Sequence, residues 1–127
     1  MTTPGFSSKQ KPRPLEIRYS KAERVLEVDF DDGQQFQLPA ELLRVESPSA
    51  EVQGHSYAEK QIIGGKRFVG ITEIEPVGNY AVRLRFDDSH DTGIYSWDTL
   101  YEFGLNKDKL LEQYLKAVEQ QGLNRDL

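Results

Sequence analysis

The sequence predicts an α+β domain made of mainly antiparallel β-hairpins, a short helix after each hairpin unit, and a C-terminal amphipathic helix. Three observations support this prediction. Apolar and polar residues alternate over several short segments, as they do in half-buried strands. Acidic and glycine-containing turn signals separate those segments, and a stripe of apolar residues at helical spacing lies near the C-terminus. A chain of 127 residues suits one domain with a single modest core.

A basic tail precedes the predicted domain. Residues 1–14 are rich in Pro, Ser and Lys and carry no acidic residue, and a segment of this composition is expected to be disordered. Its cations are Lys9, Lys11 and Arg13. The predicted domain spans residues 15–122, and residues 123–127 are expected to form a flexible C-terminus.

In the first predicted unit, a strand from Leu15 is followed by a turn at residues 20–23, a hairpin and a helix. An Asp-Gly pair at residues 32–33 predicts a tight hairpin between two strands. The apolar positions of the strands are Leu15, Ile17, Tyr19, Leu26, Val28, Phe30, Phe36 and Leu38. Because Pro39 lacks a backbone donor and suits the first position of a helix, residues 39–44 are predicted to form a short helix.

The second predicted unit follows residues 47–65, which have no sustained period and are expected to hold little regular structure. Strands are predicted over residues 68–74 and 80–86, with a turn at residues 76–79. Val82, Leu84 and Phe86 share one face of the second strand. The opposite face carries Arg83 and Arg85.

Two helices are predicted after this hairpin. Ser96 is a suitable N-cap for a helix over residues 97–103, and Asn106 is a suitable N-cap for a helix that ends at Gly122. The apolar stripe of the last helix is expected to pack on the sheet. This stripe comprises Leu110, Leu111, Tyr114, Leu115 and Val118.

The two units resemble each other in sequence. Residues 28–33 (VDFDDG) resemble residues 84–89 (LRFDDS), and after a one-residue insertion residues 38–43 resemble residues 95–100. Each unit would run strand, acidic turn, strand and helix start. Either a duplication or two hairpins that converged on the same turn chemistry explains this likeness.

Composition excludes several classes of function. Without cysteine, the chain cannot form disulfides, thiolate nucleophiles or cysteine-ligated zinc and iron–sulfur sites. No apolar run reaches the roughly 20 residues of a membrane helix and no signal-peptide pattern begins the chain, so we expect a cytoplasmic protein without membrane contact. The net charge is −5, and because the acidic residues lie outside the basic tail, nucleic-acid binding is disfavoured.

The densest set of potential metal ligands lies in the second acidic turn, where three carboxylates flank an imidazole. The set comprises Asp87, Asp88, His90 and Asp91. One interpretation is a metal or ligand site formed by His90 and Asp88, with His55 as a further candidate. The other is a structural turn, in which Asp side chains hydrogen bond to the backbone. The spacing is not that of an EF-hand, and no serine lies in a G-x-S-x-G setting. We therefore predict no enzyme and no cofactor.

Two other sets of residues are candidates for contact with a partner. Tyr95, Trp97 and Tyr101 form either an interaction hot spot or part of the core. Lys66 and Arg67 follow two glycines and are candidates for anion binding. Together with Arg83 and Arg85 they would form a weak nucleic-acid surface, whose binding would depend strongly on salt.

Three segments together resemble a known family. They are LPAELLR at residues 38–44, IEPVGNYAV at residues 74–82, and FDDSHDTGIYSW at residues 86–97. In order and spacing they are similar to the small domain that precedes the catalytic domain of gamma-butyrobetaine hydroxylase and that also occurs alone in bacteria. The resemblance covers about residues 15–104.

The resemblance implies that a structural zinc, held in the hydroxylases by three cysteines and one histidine, is lost here. His90 matches the histidine, whereas Ser47, Ser49 and Val52 stand at the cysteine positions. Serine hydroxyls and a valine cannot replace thiolates. We expect His90 to hydrogen bond to residues 47–49 instead.

The resemblance also implies an accessory role, because in the hydroxylases the iron and 2-oxoglutarate sites belong to a different domain. A related domain resembles part of plant scaffold proteins for iron–sulfur clusters. We therefore expect a non-catalytic binding module that docks a protein partner of oxygenase or iron–sulfur metabolism, or a second copy of itself. The alternative function is a small metal or ligand binder that uses His90 and its neighbouring carboxylates.

Overall fold

The structure is a computed structural model that describes residues 11–54 and 60–126. Within these ranges it contains six strands and four helices, which confirms the predicted α+β class. The first half holds β1 (Pro14–Ser20), β2 (Val25–Phe30), β3 (Gln35–Pro39), α1 (Ala40–Val45) and α2 (Ala50–Gln53). The second half holds β4 (Ile71–Val77), β5 (Ala81–Phe86), β6 (Gly93–Ser96), α3 (Trp97–Leu105) and α4 (Lys107–Gln120).

The strands form two three-stranded antiparallel sheets, with orders β1-β2-β3 and β4-β5-β6. The predicted alternation on β5 is confirmed, since Val82, Leu84 and Phe86 are buried while the arginines between them are not. Leu15 is an exception, because it is exposed although the alternation predicted it on the core face. The register shifts between Pro14 and Glu16, and such a bulge changes which side chains face the core.

The two halves repeat one another in structure as well as in sequence. Each unit has three strands followed by a helix. The first strand of each unit, β1 or β4, lies outside the similar sequence segments. The register shift at the start of β1 recurs at the start of β4, between Ile71 and Glu73. Both acidic turns place a residue with positive φ at the same point, Gly33 in the first and Ser89 in the second. The internal similarity is therefore a structural repeat.

One core joins the two repeats. Buried side chains of both sheets, α1 and α3 belong to a single apolar cluster. The contacts between the halves are reciprocal: a methyl group added to Gly104 in α3 would lie 2.3–2.5 Å from the Phe36 ring in β3, and one added to Gly93 in β6 would lie 2.6 Å from the Ser47 hydroxyl after α1. Glycine is needed at both positions because the facing element approaches its backbone closely.

Helix α4 packs differently from the prediction. Its buried residues Tyr114 and Val118 form a second apolar cluster with Val45, against which Ile62 and Ile63 pack. Tyr114 and Val118 therefore cover the end of α1 and the loop before β4, while the expectation was that the stripe packs on a sheet. Leu115 of the stripe is exposed. No helix in the described ranges is long and apolar enough to cross a membrane.

Residues 124–126, near the C-terminus, make specific contacts with the rest of the described chain. The backbone N–H of Gly65 donates to the carbonyl of Asn124, and that of Arg67 donates to the carbonyl of Arg125. The Arg125 guanidinium forms a two-point ion pair with Glu41 in the first turn of α1. Residues 124–126 thus connect α1 to the segment that precedes β4.

Candidate functional site

The second acidic turn brings His90 to the end of α1. The His90 ring is buried. Its Nε2 lies 2.9 Å from the Ser47 hydroxyl, and its Nδ1 lies 3.3 Å from a Glu51 carboxylate oxygen. The Ser47 oxygen also accepts the backbone N–H of Ser49. The hydrogen bond that we expected between His90 and residues 47–49 is confirmed.

The surroundings of His90 favour the neutral imidazole. Burial lowers the pKa of His90, and the positive charge of Arg44 lowers it further, while Glu51, Asp88 and Asp91 oppose these effects. A neutral ring that donates from Nδ1 to Glu51 and accepts at Nε2 from Ser47 satisfies both nitrogens. The arrangement therefore works as a buried hydrogen-bonded link between the halves.

Asp88 links the same turn to two cations. One of its oxygens lies 2.8 Å from Arg44 Nε and 2.6 Å from Lys66 Nζ. Its other oxygen accepts the backbone N–H of His90. Burial alone would raise the pKa of Asp88, but the hydrogen bonds from Lys66, His90 and Arg44 lower it to about 2. Arg44 Nη1 is buried and has no hydrogen-bond partner among the described residues.

The order Ser47, His90, Glu51 is that of a charge-relay triad, but its geometry does not suit catalysis. Ser47 is fully buried. The space in front of its hydroxyl is taken by the backbone of Gly93, where even a methyl group would lie 2.6 Å away. A nucleophile needs room for a substrate carbonyl at about 3 Å, so this cluster can join the two halves but cannot admit a substrate.

The residues present do not fit the metal sites considered from the sequence. Within residues 11–54 and 60–126 no group of three or more His, Cys, Asp or Glu side chains is placed to hold a metal ion. His55 lies outside the described residues. At the positions that the resemblance assigns to zinc ligands, Ser47 bonds to His90, Ser49 bonds to Thr92 at 2.7 Å, and Val52 is buried apolar surface. None of these three can supply a thiolate.

The four candidate cations for anion or nucleic-acid binding are all ion-paired. Lys66 pairs with Asp88, and Arg67 pairs with Asp126. The two arginines of β5 face acids on the neighbouring strand. The pairs are Arg83 with Glu75 and Arg85 with Glu73 and Asp91. These carboxylates neutralise the predicted basic patch.

The predicted aromatic set separates into three environments. Tyr95 is fully buried and donates its hydroxyl hydrogen bond to the Leu43 carbonyl. Tyr101 packs edge-on against the rings of Phe30 and Phe36 and donates to Asp32 of the first acidic turn. Trp97 is half-buried, and its indole N–H donates to the carbonyl of Asn79. Of these three aromatics, Trp97 lines an open cleft.

This cleft contains residues that the sequence reasoning did not single out. It has a volume of about 490 Å³ and lies between the β4–β5 turn, the start of α3 and the chain just before β1. Its wall includes Lys11, Pro12, Arg13, Asn79, Tyr80, Ser96, Trp97 and Asp98. Tyr80, which is 57% exposed, is the largest exposed side chain in it. In the sequence, Tyr80 was marked only by the Asn-Tyr pair that ends the predicted turn.

Comparison with known proteins identifies relatives of the whole fold. Residues 17–101 match the model of the family described as gamma-butyrobetaine hydroxylase-like, N-terminal. Two proteins solved by NMR are similar, with TM-scores of 0.80 for both. One is 43% identical over 92% of this chain and 92% of its own, and the other is 45% identical over 98% of this chain and 90% of its own.

A crystal structure from Acidithiobacillus ferrooxidans is also similar. That protein is described as having unknown function and as belonging to the DUF971 family. It is 44% identical over 72% of this chain and 92% of its own, with a TM-score of 0.62. No curated protein matches the sequence at a significant level.

Proposed function

Since the chain belongs to the gamma-butyrobetaine hydroxylase-like N-terminal family, we propose that it is a non-catalytic binding module that docks a protein partner. The family description refers to the N-terminal part of a hydroxylase-like protein, which suits a module that acts together with another protein. The observation that carries the proposal is the contrast between a polar cluster whose groups pair with one another and an open aromatic cleft.

The polar cluster supports the non-catalytic half of the proposal. His90 contacts both Ser47 and Glu51 through its two ring nitrogens. Asp88 is neutralised by Arg44 and Lys66. Side chains whose hydrogen bonds and charges are matched within the fold hold the two repeats together, and they leave little reactivity for a substrate.

The aromatic cleft supports the docking half of the proposal. Tyr80 and Trp97 face solvent together at the edge of the cleft, and tyrosine and tryptophan dominate the energetics of protein interfaces. The Trp97 ring is oriented by its bond to Asn79, so little side-chain entropy is lost when a partner covers it. Solvent-facing charges elsewhere on the second sheet are already paired.

Affinity capture from the native extract, followed by titration of each purified candidate partner, tests this function. We expect one partner to bind reproducibly and with a dependence on concentration. Tyr80→Ala should weaken that binding by roughly tenfold or more, as expected for a hot-spot residue. Phe68→Ala is the matched control, because Phe68 is an aromatic residue of similar exposure, 62%, next to a different turn at Arg24.

Two results would contradict the proposal. The first is the failure of every captured protein to bind in purified form. The second is covalent labelling of Ser47 by a fluorophosphonate probe, since this would show a reactive serine nucleophile. A partner that binds both variants equally well would support docking but would place it on another surface.

A further inference from the structure

The structural repeat creates two equivalent corners, one at the start of each repeat helix. The backbone N–H of Ala40 in α1 donates to the carbonyl of Arg24 at 2.9 Å, and the backbone N–H of Trp97 in α3 donates to the carbonyl of Tyr80 at 3.1 Å. Each helix carries an acid one residue later, Glu41 in α1 and Asp98 in α3. The same main-chain geometry thus presents one carboxylate at each corner.

The first corner is filled by the chain itself. Arg125 donates to both oxygens of Glu41, with Nε at 2.8 Å and Nη2 at 2.6 Å. The segment that carries Arg125 runs beside residues 64–67, and two backbone hydrogen bonds join them. As a result the Glu41 side chain is only 7% exposed. The corner is therefore a built site for a peptide segment with an arginine.

The second corner is open in the part of the chain that the structure describes. Asp98 lies at the wall of the cleft beside Tyr80 and Trp97. Its ion pair is to Lys11, with side chains that are 72% exposed for Lys11 and 56% exposed for Asp98. An exposed pair of this kind contributes about 0–1 kcal/mol, so a cation that is better placed can displace Lys11.

We infer that this cleft binds a segment of the partner protein that carries an arginine, which would pair with Asp98 as Arg125 pairs with Glu41. The inference rests on the proposed docking function and names its surface and the chemistry of its partner. An arginine fits best because its planar guanidinium donates two parallel hydrogen bonds to a carboxylate. It also stacks on aromatic faces, which Tyr80 and Trp97 supply.

A peptide with the sequence of residues 121–127, QGLNRDL, is the probe, because it contains Arg125, which pairs with Glu41 at the equivalent corner. Trp97 is the only tryptophan of the chain, so its emission reports events at the cleft and not at Glu41. With the full chain we expect saturable quenching or shift of this emission at peptide concentrations of about 1 mM or below, the affinity range of a small interface.

Three variants decide whether the contact is the one inferred. Asp98→Asn, and replacement of the peptide arginine by alanine, should each weaken binding by roughly tenfold, the loss expected when a charge-assisted pair is removed. Lys11→Ala should bind at least as tightly as the natural chain, because the competing cation is gone. Glu75→Gln is the matched control and should not change binding, since Glu75 pairs with Arg83 on the sheet face.

The inference is overturned if neither the natural chain nor Lys11→Ala binds the peptide. It is also overturned if Asp98→Asn binds as well as the natural chain. A natural partner that binds Asp98→Asn with unchanged affinity would keep the proposed docking function and remove only this assignment of its surface.

Discussion

The two equivalent ion pairs should differ greatly in their contribution to stability. Arg125→Ala removes the cation from Glu41, which then remains as an unpaired buried carboxylate, because its side chain is only 7% exposed. Lys11→Ala removes a cation from Asp98, whose side chain is 56% exposed and remains hydrated. Each variant removes one cation from an equivalent carboxylate, so comparing the two tests how burial of the carboxylate affects stability.

The expected magnitudes follow from this difference in exposure. Breaking a buried ion pair from one side costs about 3–5 kcal/mol. Because Arg125 is itself 28% exposed, solvent screens part of this cost, and we expect Arg125→Ala to lower the free energy of unfolding by about 2–3 kcal/mol. Lys11→Ala should lower it by about 0–1 kcal/mol. For a domain of this size, each kcal/mol corresponds to about 3–4 °C in melting temperature.

Urea unfolding followed by far-UV circular dichroism measures both free energies, provided that tryptophan emission gives the same transition. Adding Glu41→Gln to Arg125→Ala should recover part of the loss, because the stranded charge is removed. Equal losses for Arg125→Ala and Lys11→Ala would refute the reasoning. So would a loss below about 1 kcal/mol for Arg125→Ala, since that is the range of an exposed pair.

Three further predictions concern the links between the repeats. Burial and Arg44 hold the pKa of His90 below its ordinary 6.5. As the pH drops below 6.5, the unfolded chain therefore binds a proton at this residue before the folded chain does, and the free energy of unfolding should fall. Urea curves at several pH values check this, and His90→Gln should remove the contribution of His90 to the dependence of that free energy on pH. Gly104→Ala should destabilise the protein by about 1–3 kcal/mol through overpacking against Phe36, although alanine favours helices over glycine by about 1 kcal/mol. Adding Phe36→Leu should restore part of the melting temperature lost by Gly104→Ala. A Gly104→Ala variant more stable than the natural chain would contradict the contact. Chelation with EDTA should leave the melting temperature unchanged, because Ser47, Ser49 and Val52 supply no thiolate for a structural zinc; a marked drop would point to a metal bound elsewhere.

Local patterns predicted the elements of the fold well. The arginines of β5 alternate with buried apolar residues, and this period of two follows from strand geometry alone. Gly33 takes positive φ in the Asp-Gly turn that the sequence predicted. The side-chain hydroxyl of Ser96 caps α3 by accepting the N–H of Thr99, as its position before the helix suggested. These features depend on residues close together in the chain.

The candidate site depended on residues that are distant in the sequence, and prediction was weaker there. The hydrogen bond between His90 and Ser47 was expected because the spacing resembles that of a known family, and not because composition required it. The partners of Asp88 were not expected, since Arg44 lies 44 positions away in the sequence. Tyr95 and Tyr80 look alike as tyrosines at strand ends, yet one is fully buried and the other is exposed.

By itself the sequence determined the class of the domain, its two similar units and the absence of cysteine chemistry, because periodicity, turn residues and composition are local or global properties of the chain. Only the tertiary structure decided that His90 and Asp88 of the second turn face inward and that the open aromatic surface lies at Tyr80 and Trp97. It also decided that one helix corner is filled by Arg125 while the other is open. The physical reason is that burial and pairing depend on which distant segment covers a residue, and no local pattern encodes that segment.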